Sequence, residues 1–343
     1  MYLYFTRVLP CYWLDCVQQG VLRWNRFQRN PAEARKYLQD LTGFRSVGAY
    51  EAFYDVCNYR RGAESLHQRN SGFVYANEPK SGRRKLSPID GMLLCLVRLR
   101  CGLTENTVAF MFGISQPTVS RVFEMWLQHL HFVLRTVFPP PDQMSRSATC
   151  PKAFKHRMKT DNAFIVDCSD LQVEVSSDPQ LQYATWSEYH HFNGVKILGV
   201  VTPCGSFVYS SPAFPARASD NAVTELSGFL RYLEKGDTFV ADKGFTLFYK
   251  LNKLDCFLYI PPFKKQGVDQ FSTQELDRTS TVANLRIHVE RAFERTKSWK
   301  IFDRPLPILM LDLAGQMFYV CSMLSNMQRP LVNTRKASVT GEL

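Results

Sequence analysis

Four apolar residues run directly into a carboxylate in Ala163-Phe164-Ile165-Val166-Asp167, and an alternating Leu171-Gln172-Val173-Glu174-Val175 run follows after Cys168-Ser169-Asp170. The first run predicts a buried strand and the second a half-exposed one. An acid at the end of a buried strand is costly unless something pairs it. Two further acids occupy comparable settings. Thr238-Phe239-Val240-Ala241-Asp242 ends a short apolar run just before Lys243-Gly244, and Glu290 lies inside the helical pattern Ile287-His288-Val289-Glu290-Arg291-Ala292-Phe293. Three acids on separate elements, without a cation fixed beside each, predict a divalent-metal site. Hard oxygen ligands suit Mg²⁺ or Mn²⁺.

Around these acids the element order changes along the chain. Strands are predicted at Gly194–Val201, Ser206–Ser211, Thr238–Ala241 and Phe257–Ile260, with helices from Ser219 or Asp220 to Leu233, from Leu247 to Leu254, and from about Val282 to Trp299. Strands first, then helix and strand in alternation, give a mixed sheet with flanking helices. That is the element order of a ribonuclease H-like α/β fold, here expected over 163–328. The apolar segment Leu306–Leu324 approaches the length of a membrane span, but Asp312 inside it makes a buried helix the expectation and a membrane partner unnecessary.

The region before the sheet is predicted to be all-α. A helical N-terminal region covers 1–76, including a helix after Pro31 that Gly43 ends and a second over Ser46–Tyr59. A basic linker follows at 77–86. Residues 87–138 then carry a helix-turn-helix. Ser87-Pro88 caps the first helix, Gly102 ends it, Thr104 caps a second over Glu105–Phe112, and Gly113 makes the tight turn into a third. The third helix presents Gln116, Thr118, Ser120 and Arg121 near its start, where a recognition helix meets base edges or phosphates. A plain helical bundle is the competing interpretation. Pro139-Pro140-Pro141 and the polar residues after it make 139–162 a linker, and 329–343 a flexible tail.

Composition narrows the partner. The formal net charge is +11 over 343 residues, which favours a polyanion such as DNA. Ten cysteines show neither a CxxC nor a Cys/His metal spacing, so buried thiols in a reducing, intracellular protein are expected. Arg7, Pro10 and Asp15 interrupt the apolar N-terminus, which argues against a secretory signal.

Each acid also has an ordinary interpretation. Asp242 suits a turn, Glu290 suits an ion pair with Arg286, and Asp220 suits a helix cap. Asp167 is the hardest to explain that way. Asp170 is a further candidate ligand or the residue of a turn, and His190 and His191 are polar loop residues or the lining of a phosphate path.

The motifs together resemble the DDE-type transposases and endonucleases of the PIF/Harbinger kind. The resemblance rests on Leu41-Thr42-Gly43-Phe44, Gly113-Ile114-Ser115-Gln116-Pro117-Thr118-Val119-Ser120-Arg121, Val166-Asp167-Cys168-Ser169-Asp170, Trp186-Ser187, Val195-Lys196, Thr202-Pro203-Cys204-Gly205, Ala241-Asp242-Lys243-Gly244-Phe245 and Arg286-Ile287-His288-Val289-Glu290-Arg291. It implies Asp167, Asp242 and Glu290 as the catalytic and metal-binding triad and cleavage of DNA phosphodiester bonds in the nucleus. The pattern departs from the family at Ser169-Asp170 and at Lys243, where arginine is usual. The N-terminal zinc-binding Cys/His pattern that relatives often carry is not found here. End-specific targeting is therefore expected to be weak, supplied by an accessory DNA-binding protein, or lost through truncation. A homo-oligomer is a further expected partner. The alternative is a domesticated, catalytically inactive DNA-binding protein that keeps the fold.

Overall fold

The computed structural model describes residues 21–58, 86–262 and 287–332. The chain divides into two compact units, Met1–Val133 with Trp299–Ile301 and Leu134–Ser298 with Phe302–Leu343.

The first unit is helical, as expected. It contains α1 (Trp24–Arg29), α2 (Pro31–Thr42), α3 (Val47–Asn58), α4 (Pro88–Cys101), α5 (Glu105–Phe112) and the start of α6 (Gln116–Val137). Local chemistry sets these boundaries. The Asn30 side chain accepts from Glu33 N–H and Pro31 occupies the first turn of α2, which Gly43 ends in a left-handed conformation (φ 84°). A capping box between Ser87 and Asp90 starts α4, and Gly102 (φ 62°) stops it. Helix α4 is apolar on nearly every side, and Met92, Leu93, Leu94, Leu96, Val97 and Leu99 are fully buried. A helix of that kind belongs at the centre of a bundle. The Thr104 side chain caps α5 by accepting from Thr107 N–H, and Gly113 (φ 58°) turns the chain toward α6. Arg98 ties this helix-turn-helix together. It pairs with Glu105 at 2.8 Å and lies over the Phe123 ring at 4.1 Å.

The second unit holds a mixed sheet. Its strands are β1 (Ala163–Gln172), β2 (Trp186–Ser187), β3 (Phe192–Val201), β4 (Phe207–Ser210), β5 (Phe214–Pro215), β6 (Thr238–Val240) and β7 (Phe257–Tyr259). The path runs β2-β3-β1-β6-β7, with β4 and β5 also paired to β3. β1 is antiparallel to β3 and parallel to β6, and β6 is parallel to β7. Flanking helices complete the expected ribonuclease H-like arrangement. One sheet face, carrying Phe164, Val166, Leu198, Val200, Phe239 and Ala241, packs on Val223 and Phe229, and on Phe245 and Leu251 further along. These come from α10 (Asp220–Leu226), from the turns around it, and from α11 (Phe248–Lys253), which are numbered after α7 (Gln143–Thr149), α8 (Lys152–Met158) and α9 (Pro179–Thr185). On the other face α12, residues 287–297, and α13 (Ala314–Ser325) bring Phe293 and Phe318 against Phe207.

Three expectations are corrected, and the expected buried helix near the C-terminus is found. The two strands predicted across 163–175 are one continuous β1, because Ser169 and Asp170 stay in the ladder opposite Ile197 and Lys196. The helix predicted from 219 to 233 breaks after Leu226, where Gly228 takes a left-handed conformation (φ 81°) before a short 3₁₀ turn, Phe229–Tyr232. The expected linker 139–162 contains α7 and α8. Arg146 of α7 is fully buried and pairs with the equally buried Asp237, which also accepts from Gln143 Nε2 at 2.9 Å and from Glu234 N at 2.9 Å. The segment Ile308–Ser325 has the length and hydropathy of a membrane span, yet 61% of it is buried. It is a 3₁₀ turn leading into α13, packed within its unit. The basic linker 77–85, the start of the 282–299 helix with Arg286, and residues 333–343 of the expected tail lie outside the described residues.

Candidate active site

β1 and β6 run parallel in a fixed register, with Ala163 beside Thr238, Phe164 beside Phe239 and Ile165 beside Val240. Carried two residues further, that register sets Asp242 beside Asp167. Neighbouring strands lie about 4.8 Å apart; Asp167 stands in the middle of β1 and Asp242 two residues past the end of β6. Alternation settles which face they share. Phe164, Val166, Phe239 and Ala241 belong to the core on one side, so Asp167 and Asp242 belong to the opposite side. Both are half-buried.

Helix α12 covers that opposite side close to Asp167. The cross-strand partner of Asp167 is Gly199, and a Cβ placed there would collide with the Phe293 ring. The absent side chain lets α12 sit directly on the sheet beside the acid. Glu290 is three residues before Phe293, hence one turn along the same side of the helix, and it is exposed. Val289, Ala292, Phe293 and Thr296 form the buried stripe that fixes the helix in rotation. The observed β1–β6 pairing ends at Ile165–Val240; Asp167 and Asp242 each lie two residues beyond it, and Glu290 extends from the helix packed over Gly199.

The immediate surroundings are tightly held. Asp167 Oδ1 accepts from the Cys168 N–H at 2.9 Å. Cys168 faces the other side, where burial pushes its thiol pKa up, with Asp220 adding to the shift. Asp242 opens a turn in which Phe245 N–H donates to its carbonyl at 3.1 Å, so it is a turn residue as well as a candidate ligand. Asn221 clamps that turn, accepting from Thr246 N at 2.9 Å and donating to Thr246 Oγ1 at 2.8 Å. Beside it Lys196 Nζ pairs with Asp220 at 3.0 Å. Ser219, rather than the expected Asp220, caps α10.

Asp170 stands apart from the other three. It is three positions beyond Asp167 in a regular strand, so it projects to the opposite face. Its carboxylate accepts from Ser187 Oγ at 3.0 Å and lies 3.8 Å from His190 Nε2. Lys297, whose ammonium pKa burial pulls down, donates to its backbone carbonyl at 3.0 Å.

In the helix-turn-helix, Gln116 donates to the Glu105 carboxylate. Thr118 Oγ1 pairs with Ser115 Oγ at 2.8 Å, Ser120 is half-buried, and the exposed Arg121 donates from Nε to Pro117 O at 3.1 Å. All four lie on the first two turns of α6.

The donor chemistry of Asp167, Asp242 and Glu290 fits a hard divalent cation. Among the described residues, however, no group of three His, Cys, Asp or Glu side chains is arranged closely enough to hold one. Sequence reasoning overlooked Asn221, Lys196 and Gly199. Lys196 and Gly199 interrupt an otherwise apolar run, a signal that was visible.

Residues 166–326 match the family model for the DDE superfamily endonuclease, and residues 84–136 match the model for the helix-turn-helix of DDE superfamily endonuclease. No curated protein and no solved structure matched the chain. The two matches coincide with the observed helix-turn-helix and mixed sheet, and these two regions are similar to the helix-turn-helix and the endonuclease domain of the DDE superfamily.

Proposed function

We propose that this protein is a transposase-type nuclease of the PIF/Harbinger kind that cleaves DNA phosphodiester bonds in the nucleus. The parallel pairing of β1 with β6, which ends two residues short of both Asp167 and Asp242, is the observation that supports this reading. Two carboxylates on rigid neighbouring strands suit the fixed geometry of an in-line displacement at phosphorus better than loop residues would. Asp167 and Asp242 would hold Mg²⁺ or Mn²⁺ and Glu290 would complete the ligand set. Bound in pairs, such ions activate the attacking oxygen and neutralise charge on the phosphoryl group.

The chain's own residues do the positioning. Phe293 against Gly199 sets the height of Glu290 above the sheet, and the Asn221–Thr246 clamp fixes the turn that carries Asp242. The helix-turn-helix would bring DNA to this site through Gln116, Thr118, Ser120 and Arg121. A homo-oligomer or an accessory DNA-binding protein would supply any longer target recognition.

The test is nicking of supercoiled plasmid with Mg²⁺ or Mn²⁺ by the wild type and by Asp167→Asn. The expected loss in the variant is on the order of 10²-fold or more, comparable to losing one transition-state contact. Equal, metal-independent nicking by both proteins, or none by either with DNA binding intact, would leave a catalytically silent DNA-binding protein as the correct reading.

A further inference from the structure

Three large aromatic side chains stand in solvent within one short segment. Tyr183 is 63% exposed, Trp186 37% and Tyr189 86%. Exposed aromatics scattered singly need no explanation. These fall within seven residues of one another in the chain, and charged or polar groups accompany them. The Arg217 guanidinium lies 3.9 Å over the Tyr183 ring while also pairing with Glu188 at 3.0 Å. His191 approaches the Trp186 ring at 6.5 Å, and His190 lies between Tyr189 at 4.7 Å and Phe192 at 5.2 Å.

Beneath the exposed rings is a buried polar foundation. Asn193 Nδ2 donates to Gln182 O and to Thr185 Oγ1, both at 2.8 Å, and so fastens α9 to β3. Ser187, 4% exposed, fastens β2 to β1 by donating to the Asp170 carboxylate at 3.0 Å. Arg217 N–H donates to Ala184 O at 3.3 Å and brings the guanidinium into place. Holding water-exposed rings on a foundation this ordered has no advantage for folding. It has an obvious advantage for binding, because a preplaced aromatic loses little freedom when a partner arrives.

We infer that the Tyr183–Trp186–Tyr189 surface with Arg217 is a stacking platform for unpaired DNA bases. The inference rests on the nuclease reading above for the identity of the nucleic acid. Every base has a flat π-face, so a row of rings with an arginine plane binds unpaired bases without sequence preference. A protein partner, which exposed Tyr, Trp and Arg also suit, is the alternative that equal wild-type affinity for paired and unpaired DNA would favour. Ser187 ties the segment to Asp170, on the face of β1 opposite Asp167. The platform would hold bases of a distorted or opened strand.

The test compares a fully paired duplex with the same duplex carrying a short unpaired bubble. Binding is read by fluorescence anisotropy in Ca²⁺, so that any cutting is suppressed. Wild type is expected to prefer the bubble. Trp186→Ala with Tyr189→Ala should lose about 5- to 150-fold in bubble affinity, the effect of removing one stacked base, with paired-duplex affinity kept within about twofold of wild type. Trp186→Phe with Tyr189→Phe should recover most of the preference and controls for folding. Equal wild-type affinity for both DNAs, or equal loss on both in the alanine variant, overturns the platform. Failure of plasmid nicking with the bubble preference intact would instead remove the nuclease reading and leave the platform standing.

Discussion

The strand pair β1–β6 has acids at both ends, and the two ends treat them in opposite ways. Before β6, Asp237 is wholly buried and accepts from Arg146, Gln143 and the Glu234 backbone, with the Arg146 guanidinium also 4.2 Å over the Phe164 ring. Beyond β6, Asp242 is half-buried beside Asp167, on the side that α12 covers. Residue type and strand are the same, so the difference lies in what the fold supplies. One end spends protein donors on its acid until water is excluded. The other leaves its acid half-buried, on the side where the proposed metal ligands lie.

The largest effect is expected at the closed end. Arg146→Ala leaves Asp237 buried without its main partner and should cost about 3–5 kcal/mol, read in urea unfolding, whereas replacing both residues by apolar ones of similar volume should restore much of it. A cost below about 1 kcal/mol would erase the contrast between the ends, because it would mean that water already reaches Asp237. Next in size is Gly199→Ala. Its Cβ meets the Phe293 and Phe207 rings, so these rings or the helix carrying Phe293 must shift, at about 1–3 kcal/mol. Plasmid nicking should fall with it, and unchanged nicking would show that the height of α12 is not critical. Smallest in stability is Glu290→Gln, which keeps the size of the side chain and removes a charge. Its melting temperature without metal should equal or slightly exceed the wild type. Mg²⁺ should raise the wild-type melting temperature more than the variant's, as a ligand specific to the folded state does. Identical metal-induced shifts would take Glu290 out of the site.

Legibility from sequence followed the range of the interactions. The helix-turn-helix was readable because its signals are local: Pro88, Thr104 and Gly113 act within a few residues of where they stand. The acids were readable too, since Asp167 and Asp242 each end an apolar run. Their mutual register was not, because the pairing of Ile165 with Val240 is written in no local pattern. The ordered 143–158 segment was missed for the same reason. Its anchor is Arg146 paired with Asp237, and nothing near Arg146 announces a partner that distant. The split of one strand into two came from taking Ser169-Asp170 as a turn, when β3 and Ser187 satisfy those residues in an extended chain.

The parallel register of β1 and β6 also orders events in time. Pairing β1 with β3 closes a comparatively short stretch of chain, while pairing it with β6 must wait until residue 238 has been brought back to residue 163. Closing the longer loop costs more entropy before any contact repays it, and parallel long-range pairing is slow. The two carboxylates therefore become neighbours late, after the helix-turn-helix has had every local advantage in forming. On the nuclease reading, a newly made chain would grip DNA before it could cut it. Pulse-labelled hydrogen exchange should find β3 amides protected ahead of those in β6, and simultaneous protection would remove this sequence of events.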